Sequence, residues 1–193
     1  ALTQGGFRVI AGSSVPLVNA TSYTKQIGPL TVELLKAGDE KFEFRGANSD
    51  ATRNTPGGDT TKPFLVSDLI GSKDGAITIR LHGLSTGSYY FRSYHLEPFN
   101  STALGFAQGA TPTTATTIEL RVDNQLKASV QPTALGAAGL NTTFISDANI
   151  PAATFGFDAI ANQPTDIIIS GTELTATGEQ FVFLNGFEIF SAP

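Results

Sequence analysis

Cysteine, methionine and tryptophan are all absent from this 193-residue chain. Without cysteine there is no disulfide, no thiolate metal site and no thiol nucleophile. Charge is scarce: Asp, Glu, Lys and Arg make up 15% of residues, where a typical domain carries about a quarter. The balance is acidic, with a net charge of −5 and a pI near 4.9. That disfavours nucleic acid and anionic membranes, both of which need a basic surface. No apolar run approaches the roughly 18 residues of a membrane-spanning helix, so membrane insertion is not expected. No Walker loop and no dinucleotide-binding glycine pattern is present.

Polarity comes instead from 24 Thr and 14 Ser. A Thr-rich, Lys-poor and Glu-poor chain favours strands over helices. Strand patterns recur at short intervals between Gly, Pro and Asn clusters. Phe42 and Phe44 share one face of a short strand at 41–45. Residues 76–82 alternate, with Ile77, Ile79 and Leu81 facing one way and Thr78, Arg80 and His82 the other. Gly83 to Gly87 reads as a tight turn, and 88–95 is the most aromatic strand. Residues 116–123 alternate again, with Ile118, Leu120 and Val122 inward; 126–130 are expected to pair with them across Asp123-Asn124. Phe155 and Phe157 share a face, and 166–170 is a run of the buried type. In the last apolar stretch, 181–190, Asn185-Gly186 marks a hairpin turn or a bulge. No segment keeps a 3.6-residue period over three turns. The expectation is a single all-β domain over residues 1–193, an antiparallel β-sandwich of the jelly-roll kind.

Three stretches carry a resemblance. The first is Phe42-Glu-Phe-Arg-Gly46 followed, after a polar loop, by Phe64-Leu-Val-Ser-Asp-Leu-Ile70. The second is Leu81-His-Gly-Leu-Ser-Thr-Gly-Ser-Tyr-Tyr-Phe-Arg-Ser-Tyr-His95. The third is Phe183-Leu-Asn-Gly-Phe-Glu-Ile189. In that order they resemble the malectin-like and galactose-binding-like β-sandwich modules attached to secreted bacterial proteins. The resemblance implies an extracellular location and a glycan or polysaccharide partner, with neighbouring domains or self-association as further partners. The tryptophan common in sugar-stacking sites is missing here.

A sugar site needs aromatic faces that stack on pyranose C–H groups and fixed polar groups for paired hydroxyls. By period 2, Tyr90, Arg92 and Tyr94 share one face, while Tyr89 and Phe91 take the other and belong to the core. An Arg between two Tyr is either a glycan platform or a solvated face with a cation–π contact. His95 ends the same strand, followed by Glu97; it either binds substrate or a metal, or caps a loop. With His82 it forms a minimal metal set. Arg45 opens the loop at 46–61, whose Asn and Asp residues grip hydroxyls or simply make turns. By analogy with other sandwich modules, Asn48, Asp50 and Asp59 are candidates for a structural Ca²⁺. The expected function is a non-catalytic carbohydrate-binding or adhesion module, with Arg45, Tyr90, Arg92, Tyr94, His95 and Glu97 as its ligand-binding residues. Two alternatives stand beside it. One is a structural or assembly domain of an extracellular layer or matrix. The other is a small jelly-roll polysaccharide lyase or glycosidase using Tyr94, His95 and Arg45.

Overall fold

A computed structural model describes residues 22–37, 43–45, 69–73, 75–97, 117–131, 133–134, 151–172 and 181–192. The described residues form strands and turns, with no helix among them. The strands are β1 (Ser22–Ile27), β2 (Leu30–Lys36), β3 (Glu43–Arg45), β4 (Leu69–Lys73), β5 (Ile77–His82), β6 (Gly87–Tyr94) and β7 (Leu96–Glu97). They continue as β8 (Ile118–Val122), β9 (Gln125–Val130), β10 (Thr133–Ala134), β11 (Ala152–Ala159), β12 (Thr165–Gly171), β13 (Phe181–Leu184) and β14 (Gly186–Ser191).

A six-stranded antiparallel sheet runs in the order β1-β2-β5-β12-β8-β9. Two antiparallel three-stranded sheets, β11-β6-β14 and β13-β4-β3, pack on it, β11 against β9 and β13 against β12. A short parallel pair, β10-β7, completes the set. The architecture is the expected all-β sandwich.

The alternation read from sequence is what builds the core. Val32, Leu34, Ile77, Ile79, Leu81, Ile118, Leu120, Ile167 and Ile169 are sealed from solvent on the large sheet. Tyr89, Phe91, Phe155, Phe157, Phe187 and Ile189 face them from the β11-β6-β14 sheet. The 166–170 run is buried on one face only: Ile168 sits on the opposite side of β12 from Ile167 and Ile169 and is half-exposed. The β8–β9 hairpin closes through Asp123 and Asn124, both at positive φ (51° and 62°). Asn and Asp tolerate that region, which a two-residue I′ hairpin needs.

Two junctions differ from a simple reading of local pattern. Strands β5 and β6 are not a hairpin: β5 lies in the six-stranded sheet and β6 in a three-stranded one, so 83–86 carries the chain between layers. Leu84 is buried in that crossing, and the Tyr89 hydroxyl donates to the Ser85 carbonyl at 3.0 Å, pinning it. At Asn185 the chain likewise changes sheets, leaving β4's side for β6's. Val182 and Leu184 are buried before it and Phe187 and Ile189 after it, so the in–out phase slips by one residue. The step is a change of sheet: β13 and β14 pair with different strands, so it is neither a hairpin turn nor a bulge within one ladder.

Gly83 fixes the first junction. Its φ is 88°, and an added Cβ would overlap the Pro29 carbonyl oxygen in the β1–β2 turn. Both terms act against any side chain there. Gly83→Ala is expected to lower unfolding stability by about 2 kcal/mol or more, read as a shift in the denaturant midpoint at constant slope.

Candidate functional site

The two sandwich faces differ in what they leave uncommitted. On the outside of the large sheet charged residues stand in pairs, although the buried Nη1 of Arg121 has no hydrogen-bond partner. Arg80 donates two hydrogen bonds of 2.8 Å to Asp166, His82 lies 3.4 Å from Glu33, and Arg121 pairs with Glu119 at 2.8 Å. Hydrogen bonding to the Asp166 carboxylate, then its charge, raises the Arg80 pKa further. These partly exposed pairs contribute little stability each.

The outer face of β11-β6-β14 is different. Register places three rows across the strands. Gly156, Tyr90 and Phe190 form one row; Thr154, Arg92 and Glu188 the next; Ala152, Tyr94 and Gly186 the third. Tyr90 and Phe190 are 45% and 44% exposed, two large rings side by side on adjacent strands. Gly156 explains the posture of Tyr90. A Cβ at Gly156 would meet Tyr90 Cε1 at 3.7 Å and Cδ1 at 4.0 Å, so the ring leans across the strand gap over the glycine. A ring covering a bare glycine shields that backbone and keeps its other face open to solvent.

In the second row the Arg92 guanidinium lies over the Tyr94 ring, its Cζ 5.1 Å from the centroid. The Tyr94 hydroxyl donates to Glu188 at 3.1 Å, and at the sheet's end the Ser88 hydroxyl donates to Asp158 at 2.6 Å. Both carboxylates therefore hold hydroxyl donors. Arg92 makes no ion pair among the described residues, and its buried Nε has no acceptor. The cation on this face lies over a ring, with Glu188 opposite it in the ladder.

The structure sorts the expected site residues. Tyr90, Arg92 and Tyr94 share the open face as expected. His95 does not join them. The alternation of β6 continues one step past its end, so His95 falls on the inner side with Ser93, and both are 0% exposed. Its Nε2 sits 2.7 Å from the Ser93 hydroxyl, and its backbone N–H donates to Pro151. Tyr94 and His95 thus point to opposite sides, and the Tyr/His arrangement of the lyase alternative does not form. His82 is outward on the other sheet, so the two histidines do not make a metal set; among the described residues no group of three His, Asp or Glu could hold a metal. Arg45 lies in β3 of the β13-β4-β3 sheet and Glu97 in β7 of the short β10-β7 pair, so neither is on the three strands of this sheet. Asn48, Asp50 and Asp59 lie outside the described residues.

Sequence reasoning missed Phe190, Glu188 and Gly156. The one-residue slip at Asn185 hides the phase of β14, and only pairing brings Gly156 opposite Tyr90. The sequence gives no expectation of a Gly-x-Ser-x-Gly elbow, yet Gly83 to Gly87 spells that pattern directly after β5. A nucleophile elbow sits between a strand and a helix; here strands flank both sides, and no described histidine hydrogen-bonds Ser85.

The polar row makes one solution measurement diagnostic. Burial, then the Glu188 charge and its hydrogen bond, raise the Tyr94 phenol above its ordinary pKa. A raised pKa means the folded state favours the neutral phenol. Its stabilisation is complete below pH about 10 and is lost as pH climbs through the folded value. In ultraviolet titration, the difference between wild type and Tyr94→Phe is expected to show a phenol ionising above pH about 10, and Glu188→Gln should move it back down.

No family model and no curated protein matches this sequence. Among solved structures, a chain in the crystal structure of the plant peptide RALF23 in complex with FER and LLG2 is similar at 15% identity and a TM-score of 0.47. That match covers 82% of this chain and 40% of the other, so this chain spans less than half of that neighbour's length. A family 35 carbohydrate-binding module from Clostridium thermocellum is similar at 14% identity and a TM-score of 0.38, covering 90% of this chain and 100% of the module. The insecticidal crystal protein Cry2Aa shares 12% identity at a TM-score of 0.34, over 66% of this chain and 17% of its own.

Proposed function

We propose that this domain is a non-catalytic glycan-binding module acting outside the cell, and that the outer face of β11-β6-β14 is its binding surface. The observation that supports the reading is the exposed Tyr90–Phe190 pair beside a ring-stacked Arg92. Exposed rings offer apolar faces to the C–H side of a pyranose, while Arg92, Thr154 and the Tyr94–Glu188 pair reach its hydroxyls. Binding by one stack and a few hydrogen bonds is weak, because few contacts exceed the ordering cost. A structural Ca²⁺ held by Asn48, Asp50 and Asp59 belongs to the same proposal.

The test is retention on insoluble polysaccharides and in affinity electrophoresis with soluble ones. Wild type is expected to bind at least one polymer. Tyr90→Ala and Phe190→Ala should each weaken that binding roughly tenfold, equivalent to about 1.4 kcal/mol; the thermal midpoint should stay nearly unchanged for Phe190→Ala and fall modestly for Tyr90→Ala, whose ring covers Gly156. Blank results across a broad panel would sink the proposal. A second copy seated on the same rings would instead give concentration-dependent association in sedimentation, abolished by the same two substitutions.

A further inference from the structure

The three rows on the β6 face run across the strands, not along them. Adjacent strands lie about 4.8 Å apart, so Gly156, Tyr90 and Phe190 cover about 10 Å in a line. The polar row of Thr154, Arg92 and Glu188 lies parallel to it, two residues further along each strand, about 7 Å away. An elongated ligand lying on the first row would therefore have one edge along the second.

Two details fix what such a ligand must be. Gly156 adds no side chain to its end of the row, where the Tyr90 ring lies down over it, so that end is low and open. Phe190 at the other end is itself exposed, so no described residue closes the row into a pocket. A site that selects a monosaccharide or a chain end needs walls around that end. Among the described residues this one has a floor and a polar edge. On that edge the half-buried, outward-facing Arg92 lies over the Tyr94 ring, and its guanidinium brings a fork of donors to the side where hydroxyl or ring oxygens would be presented.

We infer that the face takes an internal stretch of an extended polysaccharide, laid across β11, β6 and β14 with its apolar side on Tyr90 and Phe190 and its oxygen-bearing edge on Thr154 and Arg92. This rests on the glycan-binding reading and specifies its ligand: a chain interior, and neither a free sugar nor a terminus.

The test uses the whole chain against cellulose, xylan, laminarin and polygalacturonate, and against the oligosaccharide ladder of whichever polymer retains it. Affinity is expected to rise roughly tenfold or more from monosaccharide to the length that spans the three strands, then to level. Borohydride reduction of the chain ends should change nothing. Gly156→Val tests the open end of the row. Its Cβ makes only ordinary contact with Tyr90, its φ is not in the left-handed region, and valine suits a strand, so the fold should hold with an unchanged or higher thermal midpoint. Its branches raise a step beside Tyr90, and polymer affinity should fall about tenfold. Equal affinity for the monosaccharide, loss of binding on end reduction, or full polymer binding by Gly156→Val would each overturn the inference while leaving a glycan-binding face intact. Absence of binding to any polymer would remove both.

Discussion

The ring of Phe91 sits between those of Phe155 and Phe187, with centroids 5.3 and 5.5 Å away, and no part of it reaches solvent. Everything on the opposite side of β6 depends on that contact. Strand alternation is strict, so fixing Phe91 inward fixes Tyr90 and Arg92 outward. Tyr89 repeats the lock one pleat earlier, stacked on Phe157 at 5.7 Å with its hydroxyl tied to Ser85. A one-residue slip of β6 would bury a guanidinium and expose two aromatic rings. The proposed binding face is the reverse side of the core.

Much of this was readable beforehand, and the parts that were not share one physical origin. The inward sets of β5, β6, β8 and β11 follow from period 2 alone, and so does the Tyr90–Arg92–Tyr94 face. The same rule carried one residue further places His95 indoors. Its chemistry as a titratable side chain made it attractive as a ligand, yet position outweighs residue type, and burial beside Ser93 makes it a packed, hydrogen-bonded core residue. Phe190 and Gly156 were illegible for a different reason. Which strands neighbour each other is a long-range matter, and no local pattern tells β6 that it lies between β11 and β14. Nor does local pattern show that β5 and β6 belong to different layers. The crossing at 83–86 has the composition of any tight turn.

The contrast between the two outer faces is also a statement about commitment. Glu33 with His82, Arg80 with Asp166 and Glu119 with Arg121 stand as partly exposed pairs on the large sheet. On the smaller sheet the carboxylates are spent on hydroxyls and the one guanidinium on a ring. What remains there, apolar area plus a preorganised donor, is the combination that low-charge, neutral-hydroxyl ligands reward. An acidic chain with few charges can therefore present a selective surface without long-range electrostatic steering, and its encounters will be only weakly sensitive to salt.

The chain break at Asn185 has a mechanical meaning. One continuous run of residues pairs first with β4 and then, after a single kinked step, with β6. The two smaller sheets are thus strung on one strand like two planks on a shared batten. A load drawn along that strand passes through both ladders in succession. A surface that grips a polymer under drag would be anchored through the piece of backbone that also carries Phe190.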